Sequence, residues 1–169
     1  MPANIEIKAR VHDFNRLQRK AEQLSETPCQ VISQEDTFFI CPRGRIKLRE
    51  LGPQRGQLVY YQREDVSGPK HSEYKIFDTD DPAGLKKILS EAFGVRGVIK
   101  KIRYLYMVGQ TRIHLDDVDE LGKFMELEVV LQPDQTDAEG QAIAENFMQK
   151  LDIKEGDLIN TAYMDMMEK

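Results

Sequence analysis

From Asn4 to Val11 the chain reads Asn-Ile-Glu-Ile-Lys-Ala-Arg-Val, with Asn4, Glu6, Lys8 and Arg10 on one side and Ile5, Ile7, Ala9 and Val11 on the other. Successive side chains of a strand point to opposite faces, so this alternation predicts a half-buried β-strand with charges of both signs on its polar face. The pattern recurs. Arg45, Lys47 and Arg49 share a face against Ile46 and Leu48, and Lys101 and Arg103 share another. Arg112, His114 and Asp116 alternate with Ile113 and Leu115, and Glu126 and Glu128 are set against Met125, Leu127 and Val129. A chain built of such strands can cover only one side of its sheet with apolar partners.

Those partners are amphipathic helices. Asp13 stands as N-cap to a helix with Phe14, Leu17, Ala21 and Leu24 on one face. After Pro28, β-like runs fall at Val31 to Ile40, Arg45 to Glu50, Gln57 to Arg63 and Glu73 to Phe77, separated by Pro and Gly turn chemistry. A second helix is predicted from Asp81 to Phe93, then strands at Val98 to Met107, Gln110 to Asp117 and Lys123 to Leu131, the first two joined by a tight hairpin at Gly109. Thr136 and Glu139 form a capping-box pattern for a third helix, and a short helix is expected near Leu158 to Met167. The fold class is α+β on antiparallel sheet, with helices on the apolar faces and the charges turned away from them. If the sheet curls and closes, the charges line its interior.

At 169 residues the chain is expected to be one domain, 1–169, long enough to bury its own core. Cys29 and Cys41 lack metal-ligand spacing and read as ordinary thiols in a reducing compartment. With no apolar signal core at the N-terminus and no bilayer-length apolar run, a cytoplasmic protein is expected. The formal net charge of -5 argues against nucleic acid or a membrane surface as partner. Oligomeric state is not readable.

Like charges spaced roughly 7 Å along one strand face repel, and something should neutralise them. Glu6, Glu126 and Glu128 suit a hard divalent cation held by oxygen, whereas Lys8, Arg45, Lys47, Arg49 and Arg103 suit phosphate oxygens. Carboxylates and cations in one cavity describe a metal-polyphosphate site. Of the histidines, His12, His71 and His114, only His114 has a strand phase that points inward. Phe38, Phe39, Tyr60 and Tyr61 read as wall packing, with Asp36 just before them placed to face a tunnel, and Met164, Met166 and Met167 read as packing or a frayed helix end.

Asn4-Ile-Glu6-Ile-Lys8 resembles the strand-one Glu-x-Glu-x-Lys motif of the CYTH domain, the triphosphate tunnel metalloenzymes. Lys47-Leu-Arg49 resembles the family's paired basic residues and Lys101-Ile-Arg103 its Lys-x-Arg strand. Ile113-His-Leu-Asp116, leading through Leu121-Gly122-x-Phe124 to Glu126-Leu-Glu128, is similar to its signature ending, and Ala162-Tyr163 to its C-terminal motif. The resemblance implies a closed eight-stranded antiparallel β-barrel, the tunnel, holding a triphosphate with Mg²⁺ or Mn²⁺. It implies Glu6, Asp116, Glu126 and Glu128 as metal ligands, with Asn4 where the motif has its first glutamate. An amide oxygen can ligate but carries no charge, so that site should bind metal more weakly. Lys8, Lys47, Arg49, Arg63, Lys101 and Arg103 would hold phosphates, with Arg10, Arg45, Glu73 and Arg112 in a second tier. Glu6, Lys8, Arg49, Arg103, Glu126 and Glu128 are the implied catalytic set.

The expected function is metal-dependent hydrolysis of a small triphosphate, inorganic tripolyphosphate first. An adenylyl cyclase making cyclic AMP and pyrophosphate from ATP is the alternative, because Arg103 to Gly109 followed by Ile113 to Asp116 resembles the class IV enzymes. A thiamine triphosphatase comes third, there being no Trp to stack on the thiamine rings. A module that binds polyphosphate or nucleotide without turnover is the reading Asn4 motivates.

Overall fold

Eight antiparallel strands form the frame of the described chain: β1 (Ala3–Arg10), β2 (Gln30–Phe39), β3 (Arg45–Gly52), β4 (Arg55–Arg63), β5 (Lys70–Thr79), β6 (Val95–Val108), β7 (Thr111–Val118) and β8 (Gly122–Val130). The structure is a computed structural model describing residues 3–63 and 68–168. The strands close into a barrel in the order β1-β5-β4-β3-β2-β6-β7-β8. Closure follows from β1, which pairs with β5 along one edge and β8 along the other.

The helices lie outside the barrel wall or across its end. In α1 (Phe14–Leu24) the Asp13 side chain accepts from the Arg16 backbone N–H, and in α3 (Asp137–Lys150) Thr136 and Glu139 complete the expected capping box. Leu17 and Ala21 of α1 and Phe147 and Met148 of α3 pack with Ile7, Ala9, Tyr106, Ile113, Leu115, Met125 and Leu127, the outward apolar set of β1, β6, β7 and β8. Each fully buried Leu or Ile here contributes about 1.5–3 kcal/mol, and Leu115→Ala would cost about 2–5 kcal/mol with its cavity. Helix α2 (Pro82–Phe93) is capped by Asp81 and tied to the barrel by Lys86, whose ammonium reaches Glu35 at 3.3 Å and Glu50 at 3.1 Å. Gly109, at φ 58°, makes the β6–β7 hairpin turn in a conformation that favours glycine.

Two expectations are corrected. Strand β5 begins at Lys70 rather than Glu73, which brings Lys70 and Ser72 into the wall. The terminal helix is shorter, α4 (Tyr163–Met167), because the segment before it is used as an extended strap: Leu158 bridges Ala9, and the Ile159 N–H donates to the Lys8 carbonyl at 2.9 Å. Cys29 and Cys41 are free thiols. No described helix is long and apolar enough to cross a membrane.

Candidate functional site

The inward side chains enclose a cavity of about 320 Å³. Its wall holds Asn4, Glu6 and Lys8 of β1, Asp36 of β2, Lys47 and Arg49 of β3, Lys101 and Arg103 of β6, Arg112 of β7, and Glu126 and Glu128 of β8. Period-two alternation in a closed barrel puts them there, and on β1, β7 and β8 the alternate residues are the apolar ones that the helices cover.

Charge is arranged in three groups. Asp36, deeply buried, accepts two bonds of 2.8 Å from Arg49, and the Lys47 and Lys101 ammonium groups lie 3.1 and 3.8 Å from it. Burial alone would push its carboxyl up, but Arg49, Lys47 and Lys101 outweigh burial and hold it well below the usual carboxylate range. Asp116 takes both guanidinium bonds of Arg103 at 2.8 Å and a third from the Tyr163 hydroxyl at 2.8 Å. Burial opposes its ionisation, yet Arg103 pulls the carboxyl down to about 2. Glu126 sits between Lys8 at 3.6 Å and Arg103 at 3.7 Å, which with Lys101 overcome its burial and hold it well below the ordinary value.

The cations feel the reverse. Burial and the neighbouring Arg49 push Lys47 down to about 8 despite Asp36, and burial and Arg103 hold Lys101 well below the ordinary ammonium value. Such lysines gain on meeting an anion, which restores the preference for the charged form.

At the β1–β8 seam Glu6 lies directly opposite Glu128 and Lys8 opposite Glu126. The Tyr74 hydroxyl donates a short bond to Glu6 Oε1, Ser72 donates to Oε2 at 3.4 Å, and Arg112 donates to Glu128 at 3.0 Å. Beside them Asn4 Oδ1 is buried with no hydrogen-bond partner among the described residues. An orphaned amide oxygen and three carboxylates on one wall are hard oxygen donors, the set Mg²⁺ or Mn²⁺ takes. Among the described residues no three His, Cys, Asp or Glu side chains converge into a ready cage. That suits an ion bound through one or two carboxylates and completed by substrate phosphates.

Several expected residues lie elsewhere. Asp116 is fully buried beneath Arg103 and Tyr163 and does not line the cavity, both its oxygens being engaged by those donors. Arg45 is drawn to Asp165 of α4 at 2.7 Å. Arg10, the last residue of β1, is exposed over the Phe124 ring, and Glu73 is exposed beside His71 because its phase on β5 is opposite to that of the inward Ser72 and Tyr74. The Arg63 side chain lies outside the described residues. His114 is inward but sealed behind the wall, with burial and Arg103 pushing its imidazole well down.

Sequence reasoning missed Tyr74, Lys70, Ser72 and Gln57. Once β5 starts at Lys70, its inward phase runs Lys70, Ser72, Tyr74, Ile76, and strand length was the lost signal. Val59, Tyr61, Tyr74 and Ile76 give the β4–β5 side of the cavity an apolar wall, with the two tyrosine rings stacked at 5.2 Å.

The family model of the CYTH domain matches residues 2–163. The chain belongs to the CYTH domain family. Among solved structures, this CYTH domain is similar to the PH1012 protein of Pyrococcus horikoshii OT3, at 26% identity and TM-score 0.85 over 96% of this chain and 98% of that one. It is similar in fold to a candidate adenylate cyclase of Vibrio parahaemolyticus, at 18% identity and TM-score 0.77 over 98% of each chain. It also shares the fold of HpAC1 from Hippeastrum, a candidate adenylyl cyclase described as having a dominant triphosphatase activity, at 13% identity and TM-score 0.69 over 99% and 95%. No match is found among curated proteins.

Proposed function

We propose that this CYTH domain hydrolyses a triphosphate with the help of a divalent cation, inorganic tripolyphosphate being the first candidate. The observation that carries the reading is one cavity in which Lys8, Lys47, Arg49, Lys101 and Arg103 converge. Five cations spread along a lumen match a chain of phosphates far better than one anion. The same groups would stabilise charge as it develops on the transferring phosphoryl oxygens, the largest catalytic term available without a covalent nucleophile.

Asn4, Glu6, Glu126 and Glu128 would hold Mg²⁺ or Mn²⁺, and the ion when bound supplies charge neutralisation and a template for the phosphates. The chain's own part is to line up substrate and water. Arg103, fixed by Asp116, and Lys8, fixed beside Glu126, orient the terminal phosphate. Glu126 or Glu128 orients a water whose oxygen bonds to phosphorus as the bridging P–O bond breaks. Tripolyphosphate then leaves as orthophosphate and diphosphate, the proton passing to the carboxylate and on to solvent.

The apolar wall of Val59, Tyr61, Tyr74 and Ile76 favours a second reading, attack of the 3′-hydroxyl of ATP on the α-phosphorus with release of pyrophosphate. Assay of phosphate release and cyclic AMP formation with tripolyphosphate, ATP and thiamine triphosphate, with Mg²⁺ or Mn²⁺, separates the two. Phosphate from tripolyphosphate, lost with chelator and with Glu126→Gln, is the expected result. Cyclic AMP from ATP as main product would replace the hydrolase reading, and full activity of Glu126→Gln would end the tunnel assignment.

A further inference from the structure

An aromatic pair in the cavity wall joins Lys47 of β3 to Glu6 of β1. Tyr61 of β4 and Tyr74 of β5 stand directly opposite each other in the sheet, with ring centroids 5.2 Å apart and planes at 29°. Lys47 Nζ lies 5.4 Å from the centre of the Tyr61 ring, and the Tyr74 hydroxyl donates to Glu6 Oε1. Tyr61 is only 5% exposed, so the face it offers Tyr74 is itself fixed. A tyrosine side chain turns about only two torsions. With its ring laid on Tyr61, Tyr74 delivers its hydroxyl to one place.

Register shows how far that hydroxyl reaches. Lys70, not Tyr74, stands opposite Glu6 in the β1–β5 pair, and Ser72 stands opposite Asn4. Tyr74 lies farther along β5 toward the mouth, its Cα on the order of 13 Å from that of Lys70. Glu6 and Tyr74 therefore lean toward each other along the lumen. This draws the carboxylate toward the level of Asn4, whose buried Oδ1 has no hydrogen-bond partner among the described residues.

From the other side Glu128 faces Glu6 directly in the β1–β8 pair. Two carboxylates so placed repel, and an untethered Glu6 would swing away from this wall. The Tyr74 hydroxyl opposes that swing, with the Ser72 hydroxyl on Oε2 at 3.4 Å as a second tether. Burial, Glu6 and Glu128 push the Tyr74 phenol well above its ordinary range, so it remains a donor. An ionised carboxylate offers roughly four acceptor positions, and two hydroxyls leave room for a cation.

We propose that Tyr74 is a positioning residue, holding the Glu6 carboxylate in the orientation in which it takes a divalent cation. This rests on the reading of the lumen as a metal-assisted triphosphate site and holds equally for hydrolysis and for cyclisation. In this role Tyr74 touches no reacting atom and acts through Glu6. Hydrogen-bond partners behind a metal ligand set its orientation, and removing one typically weakens metal binding by about 10–100-fold. A hydroxyl that merely competed with the ion for Glu6 would have the opposite sign: its removal would tighten binding.

The test substitutes Tyr74→Phe and Glu6→Ala, singly and together, in the full chain, and titrates Mg²⁺ into metal-free protein by calorimetry. Phenylalanine keeps the ring on Tyr61 and removes only the hydroxyl. Tyr74→Phe is expected to weaken Mg²⁺ binding about tenfold while tripolyphosphate still binds in chelator, and to lose turnover that a higher Mg²⁺ concentration restores. Added to Glu6→Ala it should weaken Mg²⁺ no further, since the carboxylate it acts through is gone. Mg²⁺ affinity unchanged or raised in Tyr74→Phe, or a loss of the same size in both backgrounds, would overturn the assignment. A lower melting temperature in chelator with unchanged Mg²⁺ affinity would make the bond structural and overturn it too. An unaltered chain that binds tripolyphosphate but takes up no Mg²⁺ would end this proposal and leave the phosphate site standing. One that binds neither would overturn the triphosphate reading itself.

Discussion

Glu6 and Glu128 face each other directly across the β1–β8 pair, two carboxylates in adjoining positions at the seam that closes the barrel. Like charges directly opposite in a sheet are destabilising, by roughly 0.2–1 kcal/mol per pair. The hydroxyls of Tyr74 and Ser72 and the guanidinium of Arg112 offset this in part. Replacing either acid by its amide removes the repulsion and keeps an oxygen for those donors. Glu6→Gln and Glu128→Gln should therefore each melt higher than the parent in chelator, by the equivalent of up to about 1 kcal/mol. Both should bind Mg²⁺ at least tenfold more weakly by calorimetry. A lower melting temperature with unchanged Mg²⁺ affinity would mean the pair is structural.

Asn4 tests the same wall from the other direction. Its Oδ1 is buried without a described partner next to those acids. Asn4→Glu adds a carboxylate, so Mg²⁺ affinity should rise by an order of magnitude while metal-free stability falls. Titration calorimetry paired with thermal melts in chelator reads both changes. Unaltered magnesium dependence would remove position 4 from the ligand set.

Lys47 should impose an alkaline limit on the free enzyme. Burial and Arg49 bring its ammonium from the ordinary 10.5 to about 8, so positive charge is lost as pH rises through that value. Because kcat/KM reports the unbound enzyme, it should fall above pH 8. In the complex the phosphates favour the charged form, so kcat should fall only at higher pH. Lys47→Arg keeps its charge throughout this range and should move the kcat/KM limb upward. An unchanged limb in that variant would assign it to another group.

Asp36 is the counter-ion for Lys47, Arg49 and Lys101. Asp36→Asn leaves three buried cations uncompensated, and removing one partner of a buried pair costs about 3–5 kcal/mol. In the variant both lysines can escape by losing protons. The native state then binds fewer protons than the unfolded chain, and stability rises with pH. Urea denaturation should show the deficit at pH 7 and a smaller one at pH 9. In the parent, the contribution of Asp36 is present above the unfolded carboxyl pKa and is lost as pH falls through its depressed folded value.

Much of this was legible in the residues. Alternation alone put Glu6, Lys8, Lys47, Arg49, Lys101, Arg103, Glu126 and Glu128 on faces that the structure brings to one lumen. Caps at Asp13 and Thr136 located two helices, because capping chemistry is local, and apolar spacing located the helix between them. Depth was not legible. Period two gives a face but not the height at which each residue stands in a sheared barrel, so Asp116 and Arg45 looked equivalent to their neighbours. One is spent under Tyr163 and the other on Asp165. Nor does any strand pattern announce that a distant five-residue helix will cross the end of the lumen, since that depends on contacts far apart in sequence.

The β1–β8 seam has a kinetic consequence. The first strand finds its partner only once the last has been made, and no turn or short loop brings them together. Folds dominated by such distant pairings form in milliseconds to seconds rather than microseconds. Until that closure the edge of β1 stays unpaired, and Glu6 and Lys8 are kept apart from Glu128 and Glu126. The seam side of the pocket and the finished barrel therefore come into being in the same event, so a nascent or partly unfolded chain lacks the Glu6–Glu128 and Lys8–Glu126 pairs.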